Sequence, residues 1–151
     1  MLDSAFGFAK PEDSPGFLLW QTTVTWQRLI KKALDPYDLS HPQFVILAIL
    51  LWFKEHNEEP TQIQIVRLSK LDKMTVSSSL KKLASRGLVG RLEHAVDTRA
   101  KTVHLTEQGK ALTLKLVPLI ENIDAEFFNP IGQANCQSLI QILSKLTKDA
   151  L

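Results

Sequence analysis

Apolar positions recur along the chain with helical spacing, interrupted by one stretch that alternates. From Ser14 to Leu34 the residues Phe17, Trp20, Val24, Ile30 and Leu34 fall close to a 3.6-residue period, and Lys31 and Lys32 suit a helix C-terminus. The next helix is predicted in "SHPQFVILAILLWFKEH". Ser40 stands as its cap, Gln43 three residues on, and Pro42 in the first turn, where a missing N–H costs little. Phe44 to Phe53 is wholly apolar, so this helix is expected to be buried on most sides and to form the central pillar of the fold.

Two shorter helices follow. Thr61 and Gln64 form a capping box ahead of "QIVRLS", with Ile65 and Leu68 on the inner face. After the break "KLD", Asp72 caps "KMTVSSSLKKLASRG", which stops at Gly87, a residue able to take the left-handed conformation that ends helices. Val76, Leu80 and Leu83 share the packing face of this helix, which turns Met74, Thr75, Ser77, Ser78, Lys81, Lys82 and Ser85 outward. Alternation then predicts two strands, Val89 to His94 and Thr102 to Thr106, around a turn at Asp97.

Thr106 caps a long helix in which Leu112, Leu116, Leu119, Ile123 and Glu126 step by four and three, like a coiled-coil seam. A bend is expected near Leu114 to Pro118, because Pro118 removes one backbone bond. Leu139, Ile142, Leu143 and Leu146 repeat the apolar pattern in a last helix. Such stripes serve as intramolecular core or as subunit seams; acidic, apolar ends that bury little within one small lobe favour dimerisation. Helix-turn-helix followed at once by a hairpin is the order of a winged helix. The predicted fold class is mainly α with a small β-hairpin. A winged helix-turn-helix lobe, 39–106, is flanked by helices at 14–36 and 107–151, all within one domain, 1–151.

Composition adds three limits. With 151 residues, 44% of them hydrophobic, the chain can bury one sizeable core. Its longest apolar run is too short to cross a bilayer and its start lacks a signal-peptide pattern, so a cytoplasmic protein without membrane contact is expected. The single cysteine, Cys136, cannot form an intrachain disulfide, in keeping with a reducing compartment.

The net charge of +2 conceals an asymmetry. Between Thr61 and Lys110 ten Lys/Arg stand against four acids, whereas the rest of the chain carries eight against twelve. The middle third is therefore a basic module, which suits a polyanionic partner or a merely solvated surface. The outward face of the fourth helix has the same two readings. Hydroxyls and lysines can contact base edges and phosphates from a major groove, and they equally suit water. The stretch "HAVDTRAKTVHLTEQG" gathers Asp97, Arg99 and Lys101 at the hairpin tip, as a solvated turn or as a wing that touches nucleic acid.

Catalytic chemistry finds no support. No glycine-rich phosphate loop and no nucleophile–base–acid set can be assigned, so neither an enzyme nor a cofactor is expected. His41, His56, His94 and His104 show no metal spacing, and no metal site is expected.

"SHPQFVILAIL", "TQIQIVRLSKLDKMTVSSSLKKLASRGLVGR" and "VDTRAKTVHLTEQGKAL", in that order and at those separations, resemble the MarR family of bacterial winged-helix transcription regulators. The likeness covers about Leu39 to Leu112. It rests most on Gly87-Leu88-Val89 with Arg91, on Asp97-x-Arg99, and on Leu105-Thr106 followed by Gly109.

The resemblance implies a homodimer held by N- and C-terminal dimerisation helices, 14–36 and 107–151, with two lobes in successive grooves of a pseudo-palindromic operator on double-stranded DNA. The expected DNA contacts are Thr61, Lys73, Met74, Thr75, Ser77, Ser78, Lys81, Lys82, Arg91, Arg99 and Lys101. Arg99 is expected in the minor groove, Asp97 fixes its direction, and Lys101 serves a flanking phosphate. The expected function is a sequence-specific repressor relieved by a small effector; the alternative is a winged-helix module that binds protein or RNA without specific DNA readout.

The resemblance also implies a small anionic or aromatic ligand. Trp20, Trp26, His41 and Trp52 can line its pocket, though aromatic residues on these helices also serve as core. Cys136 lies away from the N-terminal position of the family's thiol sensors, so thiol sensing is not expected. Ser78 and Ser79 depart from the family pattern, which often has a large polar residue at the first position and an aliphatic one at the second. Base preference and the docking of the fourth helix are therefore open.

Overall fold

The computed structural model describes residues 4–93 and 101–148. The chain forms two compact units, Met1–His41 and Pro42–Leu151. In the first, helix α1 spans Pro15–Leu34; the Ser14 hydroxyl accepts from the Phe17 N–H at 3.2 Å, and Pro15 opens the first turn. Ile30 and Leu34, at the end of α1, are fully buried, whereas Phe17, Leu18, Leu19 and Trp20 at its start are exposed.

Helix α2, His41–Glu55, begins directly after Ser40 and buries Gln43, Phe44, Ile46, Leu47, Leu50 and Leu51, as its apolar run requires. Helix α3, Gln62–Ser69, carries the expected capping box: the Gln64 N–H donates to the Thr61 hydroxyl at 3.2 Å, and the Thr61 N–H to Gln64 Oε1 at 2.8 Å. The helix ends where Lys70 turns left-handed at φ 62°. Helix α4, Lys73–Ser85, is capped by Asp72 and closes at Gly87, whose φ of 73° suits a residue without Cβ. Val76, Leu80 and Leu83 are fully buried, and Ser79 beside them is nearly so.

Leu68 departs from the sequence reading, for it is 58% exposed while Ile65 is fully buried. The inner stripe of α3 runs instead through Gln62, Ile65, Val66 and Ser69, all buried or half-buried. At 3.6 residues per turn its centre lies about 110° from Leu68. Two polar residues on the inner side hid that axis from a reading based on apolar spacing.

Strands β1, Val89–Glu93, and β2, Lys101–Leu105, pair antiparallel in the register Val89 to Leu105 through Glu93 to Lys101. On the other side of β2, Thr61 bridges Thr102, and the Val103 N–H donates to the Pro60 carbonyl at 2.9 Å. Helix α4 packs on α3 and β1, and β2 packs on α3 and on α5, Glu107–Phe128. Thr106 caps α5, which runs unbroken through Pro118.

The Thr106 hydroxyl ties two elements together. It accepts from the Gly109 N–H at 3.0 Å and donates to the Gly87 carbonyl at 2.6 Å. The stripe expected to form a subunit seam on α5 is divided, since Leu116 is buried within the chain while Leu119 and Glu126 are exposed. Helix α6, Gln133–Lys148, buries no residue and exposes Ile140, Ile142, Leu143 and Leu146.

Candidate nucleic-acid interface

Asp72 sets the start of α4. Its carboxylate accepts the Thr75 N–H at 2.7 Å and the Thr75 hydroxyl at 2.9 Å. Those two bonds, the backbone one foremost, hold the Asp72 carboxyl below its ordinary value. From this start, Lys73, Met74, Ser78, Lys81, Lys82 and Ser85 face outward, with Thr75 and Ser77 half-buried at the margin. Several hydroxyls on this face are already engaged. Besides Thr75, Ser78 donates to the Thr75 carbonyl at 3.2 Å and Ser85 to the Lys82 carbonyl at 2.7 Å.

Beside this face lies a cleft of about 510 Å³ lined by Thr61, Gln62, Ile63, Val66, Arg67, Lys73 and Lys101. Its three cations come from α3, α4 and β2, and among the described residues no acid lines it. The first turn of α3 borders the cleft, so the positive end of that helix adds to the field of the side chains. Such a concavity accommodates an anionic oxygen group.

The structure thus brings Thr61, Lys73 and Lys101 together and sets Met74, Thr75, Ser77, Ser78, Lys81 and Lys82 along one exposed or marginal face. Arg91 stands apart from them. It pairs across the hairpin with buried Val103, and its Nε and Nη2 are buried without a hydrogen-bond partner. Asp97 and Arg99 lie outside the described residues, as does His94.

Arg67 was missed as a site residue. Its sequence signal was only a share in the basic surplus, because the cleft depends on three elements that meet in space.

The residues considered for an effector are dispersed in character. Trp26 and His41 meet edge to face with centroids 5.0 Å apart, and Trp20 is 66% exposed. Trp52 stacks on His56 at 3.9 Å, and His56 Nδ1 lies 2.7 Å from the Trp52 carbonyl. Cys136 lines a cleft of about 440 Å³ with Glu121, Asp124 and Phe128.

Comparison with known proteins identifies the fold and the family. Residues 35–123 match the ArnR1-like winged-helix domain. The HTH-type transcriptional regulator YdcH of Bacillus subtilis (strain 168) is 39% identical over 121 residues, 80% of this chain and 82% of that protein. Bordetella bronchiseptica BpsR, whose DNA binding is regulated by 6-hydroxynicotinic acid, superposes with a TM-score of 0.83 at 24% identity, over 96% of this chain and 100% of that one. A MarR family transcriptional regulator from Silicibacter pomeroyi gives 0.81 at 25% identity, over 98% and 99%. With its helix-turn-helix, its paired hairpin and a curated relative across four-fifths of its length, the chain belongs to the MarR family of winged-helix transcriptional regulators.

Proposed function

We propose that this regulator binds double-stranded DNA as a homodimer and represses transcription from a pseudo-palindromic operator until a small effector lowers its affinity. The observation that carries the reading is the cleft in which Arg67, Lys73 and Lys101 converge beside the exposed face of α4. A helix fits the major groove, and cations flanking it neutralise phosphates and fix its register. In this reading Met74, Thr75, Ser77 and Ser78 approach base edges, while Thr61, Lys73, Lys81, Lys82 and Lys101 serve the backbone. Arg91 and Arg99 act from the hairpin, with Arg99 entering the minor groove and Asp97 fixing its direction.

The exposed apolar residues of α6 and of the first turns of α1 support the dimer, because apolar surface on terminal helices gains most from burial against a second copy. The control of BpsR by 6-hydroxynicotinic acid supports an anionic or aromatic effector, for which the Trp26–His41 pair offers an aromatic surface.

The test is selection of bound duplexes from genomic DNA, followed by fluorescence anisotropy across salt concentrations. The expected result is an enriched operator whose log K falls by about 0.9 per phosphate contact per decade of salt. Lys73→Ala and Lys101→Ala each remove one contact from both lobes and should each reduce that slope by about two. A flat salt response, or equal binding to unrelated RNA, rejects the reading.

A further inference from the structure

The recognition face of α4 is unusual in what it lacks. Lys73–Ser85 contains no arginine, asparagine or glutamine, the side chains that read guanine or adenine through paired hydrogen bonds. Its hydroxyls are largely committed inside the helix: Thr75 to Asp72, Ser78 to the Thr75 carbonyl and Ser85 to the Lys82 carbonyl. Lys73, Lys81 and Lys82 are flexible point charges that suit phosphates or a guanine acceptor but offer no planar fork.

Against this background stands Met74, 82% exposed, the most exposed large apolar side chain among the described residues. It sits in the first turn of α4, where recognition helices reach base edges. An exposed methionine there contributes nothing to the core, and a thioether neither donates strongly nor accepts strongly. What it can do is make close contact with another apolar group. The one apolar group that base pairs present in the major groove is the 5-methyl of thymine.

We infer that Met74 reads thymine methyl groups in the operator, so that this regulator selects by apolar contact where a bidentate side chain is absent. The inference rests on the DNA-binding reading above and names its specificity. Met74 has three rotatable bonds and a polarisable sulfur, which let it settle against a methyl whose position shifts with local DNA shape.

The test uses the full-length chain and a duplex selected from a random pool, remade with deoxyuridine in place of thymidine at one position at a time. That exchange removes only the methyl and leaves every hydrogen bond. The expected loss for the wild-type chain is about fourfold at one or two positions in each half-site, the scale of one buried methyl. Met74→Ala should bind the thymidine and deoxyuridine duplexes equally, with an unchanged circular dichroism spectrum, and Met74→Leu should keep part of the discrimination. Full affinity of the wild-type chain for a duplex with every thymidine replaced would overturn the inference and leave operator binding intact. So would a Met74→Ala protein that still discriminates, or a selected core without thymine. A pool in which no duplex is enriched would overturn both the inference and the reading beneath it.

Discussion

At Gly109 the first turn of α5 lies against the backbone of Leu88, just ahead of β1, and adding one methyl group there tests how the lobe is held. A Cβ built at Gly109 would lie 1.9 Å from the Leu88 carbonyl oxygen, 2.9 Å from its carbon and 3.2 Å from its Cα. All three are backbone atoms, so no side-chain rotation relieves the clash. Leu88 or the first turn of α5 must move by more than 1 Å before the oxygen reaches a tolerable distance. Leu88 is anchored at both ends: its N–H donates to the Leu83 carbonyl at 3.0 Å and its carbonyl accepts from the Thr106 N–H at 3.1 Å.

Two effects oppose each other in Gly109→Ala. Alanine gains about 1 kcal/mol in intrinsic helix propensity. Overpacking against a fixed backbone costs about 3 kcal/mol, the upper end for inserted groups, and a strained backbone hydrogen bond adds about 1 kcal/mol. The clash wins by about 2–3 kcal/mol, which for a chain of this size lowers the melting temperature by about 5–10 °C. Urea and thermal unfolding followed by circular dichroism at equal protein concentration measure it. Gly16→Ala is the control, because its new Cβ meets nothing nearer than the Ser14 hydroxyl at 3.9 Å; it should be neutral or stabilising by about 0.5 kcal/mol. A Gly109→Ala protein as stable as the wild type would refute the argument that close approach requires glycine here.

Three further outcomes follow from the same contacts. Thr106→Val removes the hydroxyl that links Gly87 to Gly109 and should cost about 1–2 kcal/mol in urea unfolding, with Thr106→Ser retaining most of it. Asp72 is held below its ordinary value of 3.8 by Thr75, so its contribution to stability is complete above that value and fades as pH falls through the lower folded value. Asp72→Asn should therefore lose part of the acid sensitivity of unfolding, and an unchanged pH profile counts against the cap. Leu146→Glu, on an exposed apolar position of α6, should shift sedimentation toward a single chain while leaving helix content intact; a persistent dimer would place the interface elsewhere.

Much of the lobe was legible because its signals are local. The Thr61–Gln64 box, the Asp72 and Thr106 caps and the Gly87 exit each depend on residues within a turn of one another, and all four are found as expected. The buried face of α4 was equally legible, since thirteen residues give enough turns for Val76, Leu80 and Leu83 to define an axis. Helix α3 has eight residues and two polar members on its inner stripe, so its apolar spacing pointed to Leu68 and away from the true face.

The candidate site was less legible than the fold, and the reason lies in the backbone. Lys101 reaches Arg67 and Lys73 because the Val103 N–H bonds to the Pro60 carbonyl and Thr61 bridges Thr102, which lays β2 along the entrance to α3. These bonds join segments some forty residues apart and use groups that every residue possesses, so no residue type announces them. A charge count could show that the middle third is basic; it could not show that Arg67 shares a cleft with Lys101. The same reasoning applies to Arg91. Its place in the strand register beside Val103 buries Nε and Nη2 of its guanidinium, a placement that the family resemblance does not reveal. In this lobe side-chain chemistry sets which contacts are available, and the pairing of β2 decides which of them face a common partner.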